Sequence, residues 1–223
     1  MVDFDNWDSM QENYRIYKNA GAIFLFDQGN DVNGWSGPDF LKLRAYLQSK
    51  LMWNTELDFE SLVDTFMTDY YMDAAPKMRE YFDYMCARNK TFRDKAWVDV
   101  MRHPEYYTKE YLDKCMSLFA EAKDAIAHYK DTDLALYQNL LYRIKTEECS
   151  SQFFLCSFYS SYYTADEYTA MIDDFESAIQ HMKYGDQMIW SNWDIDQGNY
   201  AWMGLSITDI IARWRVHRYV PVA

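Results

Sequence analysis

The densest run of side chains able to do chemistry is FLFDQGNDVNGWSGPDF, residues 24–40. Asp27, Gln28, Asn30 and Trp35 bring a carboxylate, two carboxamides and an indole into one short polar loop. Such groups can bond the hydroxyl edge of a sugar ring while the indole covers its C–H face. These four are the candidate substrate-binding residues. The competing reading of the same residues is a Gly/Asn turn leading into a helix N-terminus.

Other chemistries fit the sequence less well. The tetrapeptide DQGN returns at residues 196–199, but its flanks differ and no apolar run precedes it, so the repeat is read as chance. Asp194-x-Asp196-x-Gly198 resembles the start of a calcium loop, yet the twelfth place holds Leu205 instead of a glutamate. Gly29 and Gly34 have P-loop spacing, but Trp35-Ser36 replaces the lysine and hydroxyl that meet phosphate. His103, His128, His181 and His217 are isolated and read as surface or capping residues. Cys86, Cys115, Cys149 and Cys156 lack CxxC spacing and read as small buried thiols. No metal or cofactor is therefore expected, and no catalytic residue can be assigned. The carboxylate pairs Glu147-Glu148 and Asp173-Asp174 lie inside helical patterns and read as solvated faces.

The elements that must carry the loop are mostly helical. Apolar residues at Phe59, Leu62, Val63, Phe66, Met67 and Tyr70 follow helical spacing behind a capping Asp58. From that stripe Leu62 and Phe66 are expected in the core, with Phe119, Ile172 and Phe175 from later helices. A helix from Pro38 would present Phe40, Leu43, Leu47 and Leu51, and another from Pro76 would present Met78, Tyr81, Phe82 and Met85. Thr108 and Asp131 or Asp133 open two more, the second continuing to about residue 159. Thr164 to Glu167 is a capping box opening a helix that Gly185 would close. Ile207, Ile210, Ile211 and Trp214 mark the last helix, and a first one is expected from Trp7 to Asn19. Against these stands one convincing strand, Ala22 to Phe26.

Composition supports this picture. With 7 Gly and 4 Pro the chain has little punctuation for many short strands, while 49% hydrophobic residues supply a core. A formal charge of −13 repels nucleic acid. No stretch approaches the roughly 20 apolar residues of a membrane helix, and MVDFDNWDSM lacks the features of a signal peptide.

The words FLFDQGN, GWSGPDFLKLRAYLQSKLMWN, DFESLVDTFMTDYY and AAPKMREYFDYM, between Gly21 and Tyr84, resemble a known family. It is the C-terminal region of large, glycosidase-like bacterial proteins, where a (β/α)₈ barrel precedes a helical domain of unknown function. Asn54-Thr55 stands where that family has Asn-Pro, and Met72-Asp73 where it has Gly-Pro.

The resemblance implies a mainly α fold: a barrel-exit helix, strand and loop over 1–37, then a helical domain over 38–223. It implies a non-catalytic portion that braces a barrel and lends one loop to a sugar site, within a parent that is an exported glycoside hydrolase. Glycoside hydrolysis needs two carboxyls about 5–10 Å apart, and the loop offers one in a plausible place, Asp27, with no identifiable second. The other function class is a stand-alone helical module binding protein or glycan. An unpaired strand at 22–26 would drive either dimerisation through residues 1–40 or disorder there.

Overall fold

The computed structural model describes residues 6–26, 40–92, 105–181, 183–184, 187–188 and 207–216. The fold is mainly α. Helix α1 spans Met10–Asn19, α2 Leu41–Trp53, α3 Phe59–Tyr71, α4 Ala75–Lys90 and α5 Lys109–Ala125. A single turn α6 (Tyr129–Thr132) precedes the long α7 (Leu134–Phe158), then α8 (Ala165–His181) and α9 (Ile207–Val216). Short 3₁₀ turns at Met72–Ala74 and Ser160–Tyr162 join α3 to α4 and α7 to α8.

Helix starts follow the local capping chemistry. Asp58 accepts from the Ser61 amide at 2.8 Å, Thr108 from Tyr111 at 3.3 Å and Asp133 from Leu136 at 2.9 Å. Thr164 and Glu167 close a reciprocal box, with Thr164 N–H donating to the Glu167 carboxylate at 2.8 Å. Each cap satisfies amides that the first helical turn leaves without partners. Pro76 sits in the first turn of α4, where its missing N–H costs nothing. The expected boundaries at Pro38 and Gly185 lie outside the described residues.

Helices pack largely in chain order. α1 lies on α2, α2 on α3, α3 on α4, α4 on α5, α5 on α7, α7 on α8 and α8 on α9, while α3 also meets α7. Aromatic rings run through this series and explain their abundance. Trp7 meets Phe82 edge-on at 5.0 Å, Phe82 meets Phe40 at 5.2 Å, and Tyr81 meets Phe119 at 4.4 Å. Farther along, Phe153, Phe175 and Trp214 join α7, α8 and α9. Phe119, Ile172 and Phe175 are buried as expected.

The α3 stripe is rotated from its expected position. Val63, Met67 and Tyr71 form its buried row, and Leu62 and Phe66 are only half-buried. The apolar pattern there is two rows wide, so spacing alone does not choose the inner one. Phe66 stacks on Tyr70 at 4.8 Å and meets Tyr46 at 5.5 Å, forming an aromatic flank between α2 and α3.

The expected strand at Ala22 to Phe26 is absent: no strand and no ladder partner occur there. Gly21, at φ 81°, ends α1 instead. Ala22 N–H bonds Tyr17 O and Gly21 N–H bonds Lys18 O, both at 3.0 Å, the paired bonds of a Schellman cap. An apolar run alone cannot hold strand geometry without a neighbour to take its backbone bonds. The strands among the described residues are the two-residue pair Lys183–Tyr184 and Gln187–Met188, antiparallel.

Candidate functional site

Asp27, Gln28, Asn30 and Trp35 lie outside the described residues, but both shoulders of their loop are inside them. On the N-terminal shoulder, Ile23, Phe24 and Phe26 are 102%, 80% and 81% exposed, while Leu25 packs against the core. Ile16 and Tyr17, on the preceding helix, are also exposed, as is Trp53 at the end of α2. Gln11 donates to the carbonyls of Thr55 and Leu57 at 2.8 and 2.6 Å, and Lys18 bonds Thr55 and Glu56. These bonds lay α1 across the α2–α3 turn, so Ile16, Tyr17 and Trp53 belong to the same end of the molecule.

On the C-terminal shoulder, Phe40 is wholly buried and its backbone is left-handed, with φ 59° and ψ 34°. Its amide donates to Glu147 Oε2 at 2.6 Å, and the Tyr71 hydroxyl donates to Glu147 Oε1 at 3.0 Å. Glu147 is 4% exposed and Glu148 is 1% exposed. The expectation of a solvated carboxylate pair is therefore corrected. From Glu147 to Ser157 every residue of α7 is buried, because α3, α5 and α8 enclose the helix. A signal for this lay in the sequence: no charged residue occurs between Glu148 and Asp166, so that half of α7 has no charged face.

The two glutamates point different ways. Glu147 serves α2 and α3. Glu148 faces α5 and accepts from Lys123 at 2.7 Å, while its Oε2 has no partner. Burial pushes the Glu148 carboxyl above the usual range, against the opposing pull of Lys123. Nearby, Asp174 on α8 accepts from Lys145 and from Gln152. Partial burial acts to raise its carboxyl, but the Lys145 and Gln152 hydrogen bonds win and hold it low. Asp173 is the solvated member of its pair and meets Arg215 at 2.7 Å.

The two glutamates have separate partners, Phe40 and Tyr71 for Glu147 and Lys123 for Glu148. Adjacent helical residues are turned by about 100°, so Glu147 and Glu148 do not converge on one bond as glycosidase carboxyls do. Burial raises the Cys149 thiol well above its ordinary value, helped by Glu148, and burial raises Cys156 as well. Both are protonated and unreactive at neutral pH. The four cysteines are free, and no helix among the described residues is long and apolar enough to cross a membrane. His128 sits on the surface, its Nδ1 3.1 Å from Ala125 O and its Nε2 3.2 Å from Asp73.

Sequence reasoning missed one further buried charge. Arg44 is 4% exposed, with its guanidinium 4.1 Å from the centre of the Trp7 ring. It also bonds the Asn6 side chain. Local spacing gave no sign of this, since Arg44 is flanked by the residues of an ordinary amphipathic helix. Among the curated proteins and among the solved structures, nothing matches this chain. A family model described as a domain of unknown function (DUF4838) matches residues 1–83, overlapping the stretch whose words resemble the helical region of unknown function.

Proposed function

We propose that this chain is the helical portion of a carbohydrate-processing, glycoside hydrolase-like protein, and that it braces a barrel without doing chemistry itself. The observation carrying this reading is the exposure of Ile23, Phe24 and Phe26 where a barrel strand was expected. Three large apolar side chains in sequence, each more than three-quarters exposed, lose the hydrophobic stabilisation they would gain against a partner. A barrel supplies both an apolar surface and the neighbouring strands that this segment lacks. The loop that follows, with Asp27, Gln28, Asn30 and Trp35, then meets a sugar at the barrel mouth.

The test uses a chain that carries the barrel together with these residues. Asp27→Asn and Trp35→Ala should each lower saccharide affinity or turnover while leaving thermal stability nearly unchanged. The chain of 223 residues alone should bind saccharides weakly, since one loop gives few of the contacts a pocket needs. Loss of several kcal/mol of stability in Trp35→Ala, on the scale of a core aromatic, would make Trp35 a packing residue and defeat the sugar-loop reading. Dimerisation of this chain through residues 1–40, abolished by serine at positions 23, 24 and 26, would favour a second copy over a barrel as the partner.

A further inference from the structure

The start of α2 has no side-chain cap, and the end of α3 has a single backbone cap bond, Met72 N–H to Thr68 O. α2 begins behind Phe40, whose side chain accepts nothing and whose backbone is left-handed. α3 ends before Met72, at φ 50° and ψ −122°, a conformation that L side chains rarely adopt and glycine tolerates. Both ends are served from α7. Arg143 Nη1 donates to the Tyr70 carbonyl at 2.5 Å, in the last turn of α3, and its guanidinium lies 4.3 Å from the Tyr70 ring centre. Glu147, one turn farther along α7, accepts the Phe40 amide at 2.6 Å. A cation thus meets a helix C-terminus and an anion meets a helix N-terminus, each with the sign that the backbone dipoles favour. The Tyr71 hydroxyl occupies the second oxygen of Glu147 and ties the two contacts together.

We propose that Arg143 and Glu147 are positioning residues: a two-pronged clamp by which α7 fixes the start of α2 and the end of α3 at once. The start of α2 and the end of α3, both within the segment that matches the family model, then hold their geometry only while α7 is docked on them. The contact is a device of the whole helical array, and it stands independently of any sugar or barrel.

Amide hydrogen exchange on the full chain tests this. In Glu147→Leu, which leaves the Phe40 amide and the Tyr71 hydroxyl without their acceptor, exchange at residues 40–44 and in the last turn of α3 should quicken by about tenfold or more. Amides of α8 should keep wild-type rates. Tyr71→Phe should quicken the same two segments by less, and Arg143→Lys should act mainly on the end of α3. Unchanged protection at residues 40–44 would overturn the clamp, as would equal acceleration in α8. If Glu147→Leu does not fold, Tyr71→Phe and Arg143→Lys decide: the local pattern supports the clamp, and uniform or absent acceleration overturns it.

Discussion

Residues 22–26 and residues 147–152 invert each other. The first stretch is apolar and, apart from Leu25, stands in solvent; the second, Glu-Glu-Cys-Ser-Ser-Gln, is polar and closed inside the helical array. Polarity alone would have exchanged their places. The buried stretch is tolerated because its charges have partners, two donors on Glu147 and Lys123 on Glu148. The exposed stretch has no comparable reason among the described residues. A buried polar group with good partners belongs to the architecture, whereas an apolar run left outside points to something that covers it.

The largest expected effect breaks the buried side of this comparison. Glu147→Leu leaves the Phe40 amide and the Tyr71 hydroxyl without an acceptor, at about 1–3 kcal/mol for each, or roughly 2–6 kcal/mol together. Urea unfolding should show the midpoint falling accordingly. A loss below about 0.5 kcal/mol, the size of an ordinary surface change, would mean that Glu147 holds nothing.

The pH dependence should separate the neighbouring acids. Glu148 has a raised folded value, so its contribution is fully present below the unfolded carboxylate value of about 4.3. That contribution is lost as pH rises through the folded value. Asp174 has a lowered folded value, so its contribution is present above about 3.9 and is lost as pH falls through the folded value. Glu148→Gln should therefore flatten the decline in stability between about pH 4.3 and the folded value. Asp174→Asn should cost stability at neutral pH and little in strong acid. Identical pH profiles for the two variants would contradict these assignments.

A smaller effect is expected at Met72, whose side chain is 37% exposed and whose backbone is strained at φ 50°. Met72→Gly relieves strain of about 1–3 kcal/mol against a glycine entropy cost of about 0.5–1 kcal/mol. Thermal melting should show a net gain of about 1 kcal/mol. Destabilisation would mean that the surrounding packing compensates the strain.

Much of the helical array was legible because caps and periodicity act locally. Asp58, Thr108, Asp133 and Thr164 announce their helices within four residues of the bonds they make. The inner row of α3 was not legible, since Leu62 and Val63 are equally apolar and only the neighbouring helices choose between them. The start of α2 and the end of α3 were hidden for the same reason: their caps come from Arg143 and Glu147, far along the chain. The family-like words did carry one local truth. Where the resembling sequences have glycine before the α4 turn, this chain has Met72 and bears the positive φ that glycine would take without strain. The candidate sugar loop was legible only as a set of side-chain types, because a binding site also requires a surface to converge on.

The claim that Ile23, Phe24 and Phe26 form a docking face is tested most directly by replacing the three together with serine and measuring urea unfolding. The account predicts a stability within about 0.5 kcal/mol of wild type, with loss of whatever apolar dye binding or self-association the chain shows. A loss of more than about 2 kcal/mol, the scale of buried apolar side chains, would place the segment in the chain's own core and contradict the account.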